Sequence, residues 1–264
     1  MKTIRVLPCV LILALVGGAF VGCSRGPSEE ELKYAELQLQ FAAIQEQYDV
    51  LKQLRVDLAA QETAIAEIEA ITENKRTEEQ TAALEAAKIK VRELAEAQDA
   101  DYEGLQGSLA DFLNTGLNEF PAAPETKSAL DVYSEEAILV ARDMVKKAGD
   151  YKKAIDHLIA ASSLYEQAGL ETYVPLLDEI ATFEEWRFIT QERFDAVKKN
   201  MTKEEVKEIA GVPYYQNIQK DEKAGVETWL YRKVEGGAAA VYFKMKNEKV
   251  YNKKFDAVKI KVVE

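Results

Sequence analysis

Residues 44–71 read IQEQYDVLKQLRVDLAAQETAIAEIEAI, which is four heptads. Ile44, Leu51, Leu58 and Ile65 recur seven apart, and Leu54 and Ile68 stand three residues after their neighbours. Gln47 and Gln61 take the other two d positions. This is the a/d seam of a coiled coil. Glu29 to Thr72 contains no Gly and no Pro, so nothing in it breaks a helix. Just upstream, Ser28 lies three residues before Glu31, the spacing of a capping box. Just downstream, residues 72–77 interrupt the pattern, and Thr77 with Gln80 makes a second capping box. A second seam follows at Leu84, Val91 and Leu105, with Leu94 at d and Gln98 breaking the row. Short loops between long helices give antiparallel neighbours. Residues 29–113 therefore read as a coiled-coil helical hairpin with a first arm of ~65 Å at ~1.5 Å per residue. A parallel homodimer of one long helix satisfies the same heptads.

Asn114 to Thr126 holds Gly116, Pro121 and Pro124 and reads as a linker. Helical signals resume in 125–190. There Gly149-Asp150-Tyr151-Lys152-Lys153-Ala154-Ile155, followed by Leu158 and Ala161, resembles the middle of a tetratricopeptide repeat. The resemblance implies two close helices joined at a Gly-Asp turn, over about Glu135 to Ala168. Arg142 departs from it, standing where the repeat prefers glycine. Solenoids need about three copies to bury a core and one is visible, so an ordinary helical pair reads the same residues. His157 is the only histidine, which makes it a packing or surface residue and excludes a multi-histidine metal site.

From 192 the pattern changes. Phe194 and Val197 close a helix. Thr202 can cap the next one, with Glu205 reaching back and Val206 and Ile209 on its apolar side. Gly211 suits a positive φ at the helix end and Pro213 forbids continuation. Strand signals follow: Val226 to Arg232 with Trp229 and Tyr231 on one face, a Gly236-Gly237 turn, and Ala239 to Met245 with Val241 and Phe243 alternating. Asn247-Glu248 then turns the chain into Lys249-Val250-Tyr251, and Asp256 to Val263 alternates again. Phe194, Val197, Val206, Ile209, Trp229, Tyr231, Val241 and Phe243 supply a small core. Trp229, Tyr231 and Phe243 serve equally as candidate partner contacts.

Met201-Thr202, Glu205-Val206, Gly211 with Pro213, Trp229-Leu230-Tyr231, Val241-Tyr242-Phe243 and Lys249-Val250 together resemble the SmpA/OmlA domain of BamE-like outer-membrane lipoproteins. The resemblance covers roughly Arg193 to Val263, within a domain drawn at 192–264. It implies two helices on a small antiparallel sheet, a fold shared with beta-lactamase inhibitory proteins, and kinship with an accessory subunit of outer-membrane barrel assembly. Asn200 stands where the family has glycine, and asparagine is the next best residue at positive φ. About 170 residues of helical character separate this domain from the N-terminus, unlike the short family members.

At the N-terminus Lys2 and Arg5 precede an apolar run from Val6 to Val21, the pattern of an export signal. The ending Ala19-Phe20-Val21-Gly22-Cys23 is similar to the lipobox of bacterial lipoproteins, with Phe20 in place of the usual aliphatic. The resemblance implies a signal peptide over 1–23, lipidation of Cys23 and a linker at 24–28. Ser24, not Asp, follows the cysteine, which by the Gram-negative sorting rule implies the outer membrane. An uncleaved anchor and an ordinary signal peptide are the alternatives, although the run falls short of the ~20 residues a span needs.

Charge divides the chain. Residues 198–264 hold 15 basic and 10 acidic side chains, and residues 24–197 hold 17 and 36, a net of −19. Such a body does not suit nucleic acid or anionic lipid. No phosphate loop, nucleophile elbow or zinc motif occurs, so no catalytic, cofactor or metal site is expected. The sequence leads to a mainly α protein with a C-terminal α+β domain. Expected is a non-enzymatic lipoprotein on the periplasmic face of the outer membrane, tethered by its N-terminal lipid. Its partners would be envelope proteins, barrel-assembly subunits among them, with self-association through the coiled coil as another course. The rival roles are an inhibitor or sensor of an envelope enzyme, and a structural spacer.

Overall fold

The computed structural model describes residues 26–257, 262 and 263. The export signal, Cys23 and most of the Asp256–Val263 strand expectation lie outside the described residues. Within them the protein is mainly helical, with a small C-terminal antiparallel sheet.

Helices α1 (Glu29–Glu69) and α2 (Glu78–Glu119) form one antiparallel hairpin. Lys33 pairs with Glu119 at the open end (3.1 Å), and Lys88 with Glu69 towards the turn (3.0 Å). Both start in the capping boxes read from the sequence, Ser28 with Glu31 and Thr77 with Gln80. Arg76 closes the turn. Its guanidinium donates to the carbonyls of Ile68, Glu69 and Ile71, groups that a helix end leaves without partners.

Helices α3 (Pro124–Ala148), α4 (Tyr151–Ala168) and α5 (Val174–Trp186) stack beside the hairpin, each against the last. Their presence corrects the seam. In α1 the buried row is Leu37, Phe41, Ile44, Tyr48 and Leu51, so Tyr48 and not Gln47 takes the inward position. An a/d seam serves a helix with one neighbour. The first half of α1 has two, α2 and α3, and a wider stripe goes inside. Further along, where α1 lies on α2 without α3, Leu54, Leu58, Gln61, Ile65 and Ile68 are half-buried in heptad register.

The linker expected at Asn114–Thr126 is also corrected. Helix α2 runs through it to Glu119, and α3 begins at Pro124, leaving four residues between. Gly116 does not break α2. It lets α3 approach so closely that an added Cβ would sit 2.8 Å from the Thr126 hydroxyl. Pro124 occupies the first turn of α3, where proline costs no hydrogen bond. The Gly149-Asp150 turn joins α3 to α4 as the repeat-like pattern implies. Gly149 has φ 63°, and the Asp150 carboxylate accepts from the Lys153 N–H (3.0 Å). Arg142, the departure from that pattern, makes a two-pronged pair with Glu179 on α5 (2.8 and 2.7 Å).

The C-terminal part holds α6 (Gln191–Ala196), α7 (Lys203–Ala210) and strands β1 (Ile218–Asp221), β2 (Val226–Arg232), β3 (Ala238–Lys244) and β4 (Lys249–Lys254). The strands form an antiparallel meander in chain order. β1 was not foreseen, because Ile-Gln-Lys-Asp carries one apolar residue; it joins by pairing Ile218 with Trp229. Phe194, Val197, Val206 and Ala210 pack with Trp229, Tyr231, Val241, Phe243 and Val250. Ile189, ahead of the boundary drawn at 192, belongs to the same core. Ala257 and Val262 lie against the other face, at Leu230, Ala238 and Ala240. Asn200 has φ 69° and Gly211 φ 85°, the two turn conformations their residue types suggested.

The two parts meet around Gly149. A Cβ there would collide with the Pro213 carbonyl, and the Val212 N–H donates to the Tyr151 hydroxyl (3.3 Å). Trp229 is 2% exposed. Trp229→Ala should cost about 3–5 kcal/mol, read as a lowered urea midpoint for the near-ultraviolet signal of the sheet. An unchanged midpoint would place the ring outside the core.

Candidate functional site

The polar groups inside the helical body converge on α3. Glu125 accepts from the Tyr34 hydroxyl and the Gln38 amide, both at 2.9 Å. Glu135 accepts from Tyr48 (2.5 Å) and from Tyr173 on the strap before α5 (3.1 Å). Glu136, 1% exposed, takes both prongs of Arg55 at 2.6 and 2.7 Å. The Tyr165 hydroxyl donates to Asp131 (2.8 Å), which leaves Ser134 as donor to Tyr165 (3.2 Å). Burial, helped by the Glu135 carboxylate, pushes the Tyr48 hydroxyl far above its ordinary range, and burial does the same to Tyr165. The bond to Glu136 raises Arg55 further still. Each oxygen of Glu135 and of Glu136 accepts a hydrogen bond from a neighbouring element, so these acids tie α3 to α1 and to the strap before α5.

Beyond Arg55 the hairpin and α3 part, opening a cleft of about 510 Å³. Its floor is the Arg55–Glu136 pair with Tyr102, and its walls are Leu58 on α1 and Leu139 and Val140 on α3. Glu62, Asp99, Asp143 and Lys147 stand among its lining. The lining has no nucleophile paired with a base. It can hold apolar side chains of another chain against a charged rim, which is binding chemistry. Among the described residues no group of three His, Cys, Asp or Glu could hold a metal, and no helix is long and apolar enough to cross a membrane.

The candidate contacts in the sheet face inward. Trp229, Tyr231 and Phe243 are all core residues, with the Trp229 and Phe243 rings 4.5 Å apart. The indole N–H donates to Glu227 (2.7 Å), whose other oxygen pairs with Lys203 (3.0 Å). The Tyr231 hydroxyl donates to the Gly211 carbonyl (3.2 Å). A partner reaches none of these rings without opening the core. His157 is half-buried with Nε2 unpartnered, and burial lowers its pKa. Sequence reading missed the α3 network. Its signal was present: Tyr34, Phe41, Tyr48 and Arg55 recur every seven residues, and the three of them with polar tips bond to carboxylates of α3.

No family model matches this chain, and neither the curated proteins nor the solved structures contain a match to it.

Two outcomes test the network. Arg55→Met should destabilise by about 3–5 kcal/mol, since it leaves Glu136 buried and unpaired, whereas Arg55→Met with Glu136→Leu should recover most of that; urea unfolding of both variants measures it. The second concerns alkali. Tyr48, Tyr165 and Tyr231 all have raised values, burial being the first cause of each. A raised folded value means their contribution is complete below the unfolded value of about 10 and is lost as pH rises through the folded ones. Absorbance at 295 nm should show these tyrosines ionising only as the helical signal disappears.

Proposed function

We propose that this chain is a non-enzymatic, lipid-tethered scaffold or accessory factor of the bacterial envelope, held on the periplasmic face of the outer membrane. The observation that carries the reading is the apolar run ending Ala19-Phe20-Val21-Gly22-Cys23, followed by Ser24. Several acyl chains on Cys23 would hold the protein firmly, at about 0.8 kcal/mol per buried methylene, where a single chain binds only marginally. The assembly role draws on the BamE-like residues of the C-terminal domain, and α6 and α7 on one face of a meander sheet agree with the fold that resemblance implies. Two features favour binding over chemistry. The carboxylates of the α3 network are engaged, and the cleft beside Tyr102 and Leu139 is open and largely apolar.

The inhibitor reading, by analogy with beta-lactamase inhibitory proteins, would have to use a surface other than Trp229, since α6 and α7 cover the sheet face that holds it. The helical body is the better docking surface.

The test is fractionation with capture. The mature wild-type protein should start at a lipidated Cys23 and sediment with outer membranes, while Cys23→Ser should remain a precursor or appear in the periplasmic fraction. Unchanged fractionation and an unchanged mature mass in Cys23→Ser would remove the anchor. Crosslinked capture from detergent-solubilised envelopes should recover barrel-assembly subunits; one soluble enzyme in their place would establish the inhibitor role.

A further inference from the structure

The hairpin has a second face, turned away from α3. There α1 presents Leu39, 74% exposed, and Val50, 48% exposed, with Ala43 between them. Two shallow grooves that share Ala43 run between the arms, with volumes of about 340 and 330 Å³. The first is lined by Val50, Ala100 and Gly104, and the second continues along Gln40, Ser108 and Thr115. From Gln40 to Val50 the trough is ~15 Å long at ~1.5 Å per residue, about three helical turns.

Gly104 is the informative residue. A glycine inside a helix destabilises it relative to alanine. Gly116, lower on α2, has its reason inside the chain, since Thr126 occupies the space a Cβ would need. At Gly104, as at Gly107 one turn on, an added Cβ would meet nothing within 4 Å, and of the two only Gly104 lines a groove. The protein's own packing therefore does not call for a missing side chain there, and what the glycine provides is bare backbone on the floor of an open groove.

Charge indicates what lies in it. The lining includes three carboxylates, Glu46, Asp101 and Asp111, and no Lys or Arg. Among the described residues none of the three takes part in an ion pair or accepts a side-chain hydrogen bond. A second copy of the same face would bring six such carboxylates together, and juxtaposed like charges oppose association.

We infer that this face of the hairpin receives an amphipathic helix from a basic partner protein, with small or apolar residues against Ala43, Ala100 and Gly104 and lysines or arginines at the three carboxylates. Helix-in-groove docking uses such i, i+3, i+4, i+7 anchors, and glycine at the crossing allows close backbone approach. The inference stands on the hairpin alone and does not depend on the lipid anchor.

The test measures binding and folding together in the full chain. The probe is a fluorescein-labelled helical peptide of three heptads, with Leu and Ala at a and d and Lys at e and g; a scrambled peptide of the same composition is the control. Anisotropy should show binding of the ordered peptide alone, weakening steeply with salt. Gly104→Leu should raise the melting temperature by about 2–4 °C, because helix propensity improves and the space is empty. It should nevertheless weaken peptide binding at least ~10-fold. Gly107→Leu, one turn on and lining neither groove, should give the same thermal gain with binding unchanged. Glu46→Lys with Asp101→Lys should also weaken binding at least ~10-fold. Three results would overturn the inference: equal binding of the scrambled peptide or none of the ordered one, binding untouched by Gly104→Leu, or a dimer in sedimentation that Gly104→Leu dissolves, which would make a second copy the occupant.

Discussion

The ion pair between Arg55 and Glu136 fixes how the two halves of the helical body meet. An isolated two-helix hairpin buries only a narrow stripe on each arm: from Leu54 onward α1 does no better than half-burial, and α2 opposite it buries only Leu84, Ala87 and Leu94. Near its open end the hairpin gains a third neighbour in α3, and every fully buried side chain of α1 lies in that part. Tyr48 and Arg55 define where the three-helix contact stops. Such a pair adds little net stability compared with apolar residues of the same shape, because desolvating both ions offsets their attraction. What it adds is register: Glu136 is buried and accepts both prongs of one guanidinium, so α3 cannot slide a turn along α1 without leaving a carboxylate dry and unpaired. The cleft beyond Arg55 exists because the arms leave α3 at that point.

The elements of this fold were legible in the sequence wherever local chemistry decides them. Ser28, Thr77 and Thr202 announce helix starts, and each forms the expected reciprocal cap. Alternation placed β2 and β3 because one face of each is buried against helices, and the Asn247-Glu248 turn placed the start of β4. The misreadings share a cause. Gln47 was placed inward, Gly116 was read as a break and β1 was overlooked, all because a distant segment decides the outcome: α3 for the first two, β2 for the third. A heptad count sees one neighbour and cannot see the second. The binding surfaces were less legible than the fold. Trp229, Tyr231 and Phe243 looked equally suited to a core and to a contact, and only the covering helices distinguish the two. The outer groove has no motif; Gly104 stands apart from the equally open Gly107 only once the groove it lines is known.

Charge asymmetry survives folding. The helical body carries most of the acid, and the C-terminal part is basic. The contacts that join them at Gly149, Tyr151, Val212 and Pro213 are a backbone approach and a tyrosine hydrogen bond. Arg193 adds a cation stacked on Trp186 at 4.7 Å. Acids on the outer hairpin, among them Glu46, Asp101 and Asp111, are left facing solvent. A surface of one sign raises association rates with partners of the other and discourages like-charged ones.

Tethering would give that surface a direction. The proposed anchor ends five residues before the cap of α1, so the open end of the hairpin, with Lys33 and Glu119, lies nearest the lipid. The turn at Arg76 lies at the far end of a 41-residue helix, ~60 Å away. The C-terminal part joins partway along, at the α3–α4 turn. A strongly acidic body beside anionic headgroups is repelled within about a Debye length, which favours the upright pose over lying flat. In that pose the outer groove, between Gln40 and Val50, begins within the first third of the arm, close enough to the membrane to meet a helix that is itself anchored there. A spacer needs only the length of the hairpin. The open groove, the unpaired carboxylates and Gly104 would be superfluous in a rod, and they argue that the arm also binds.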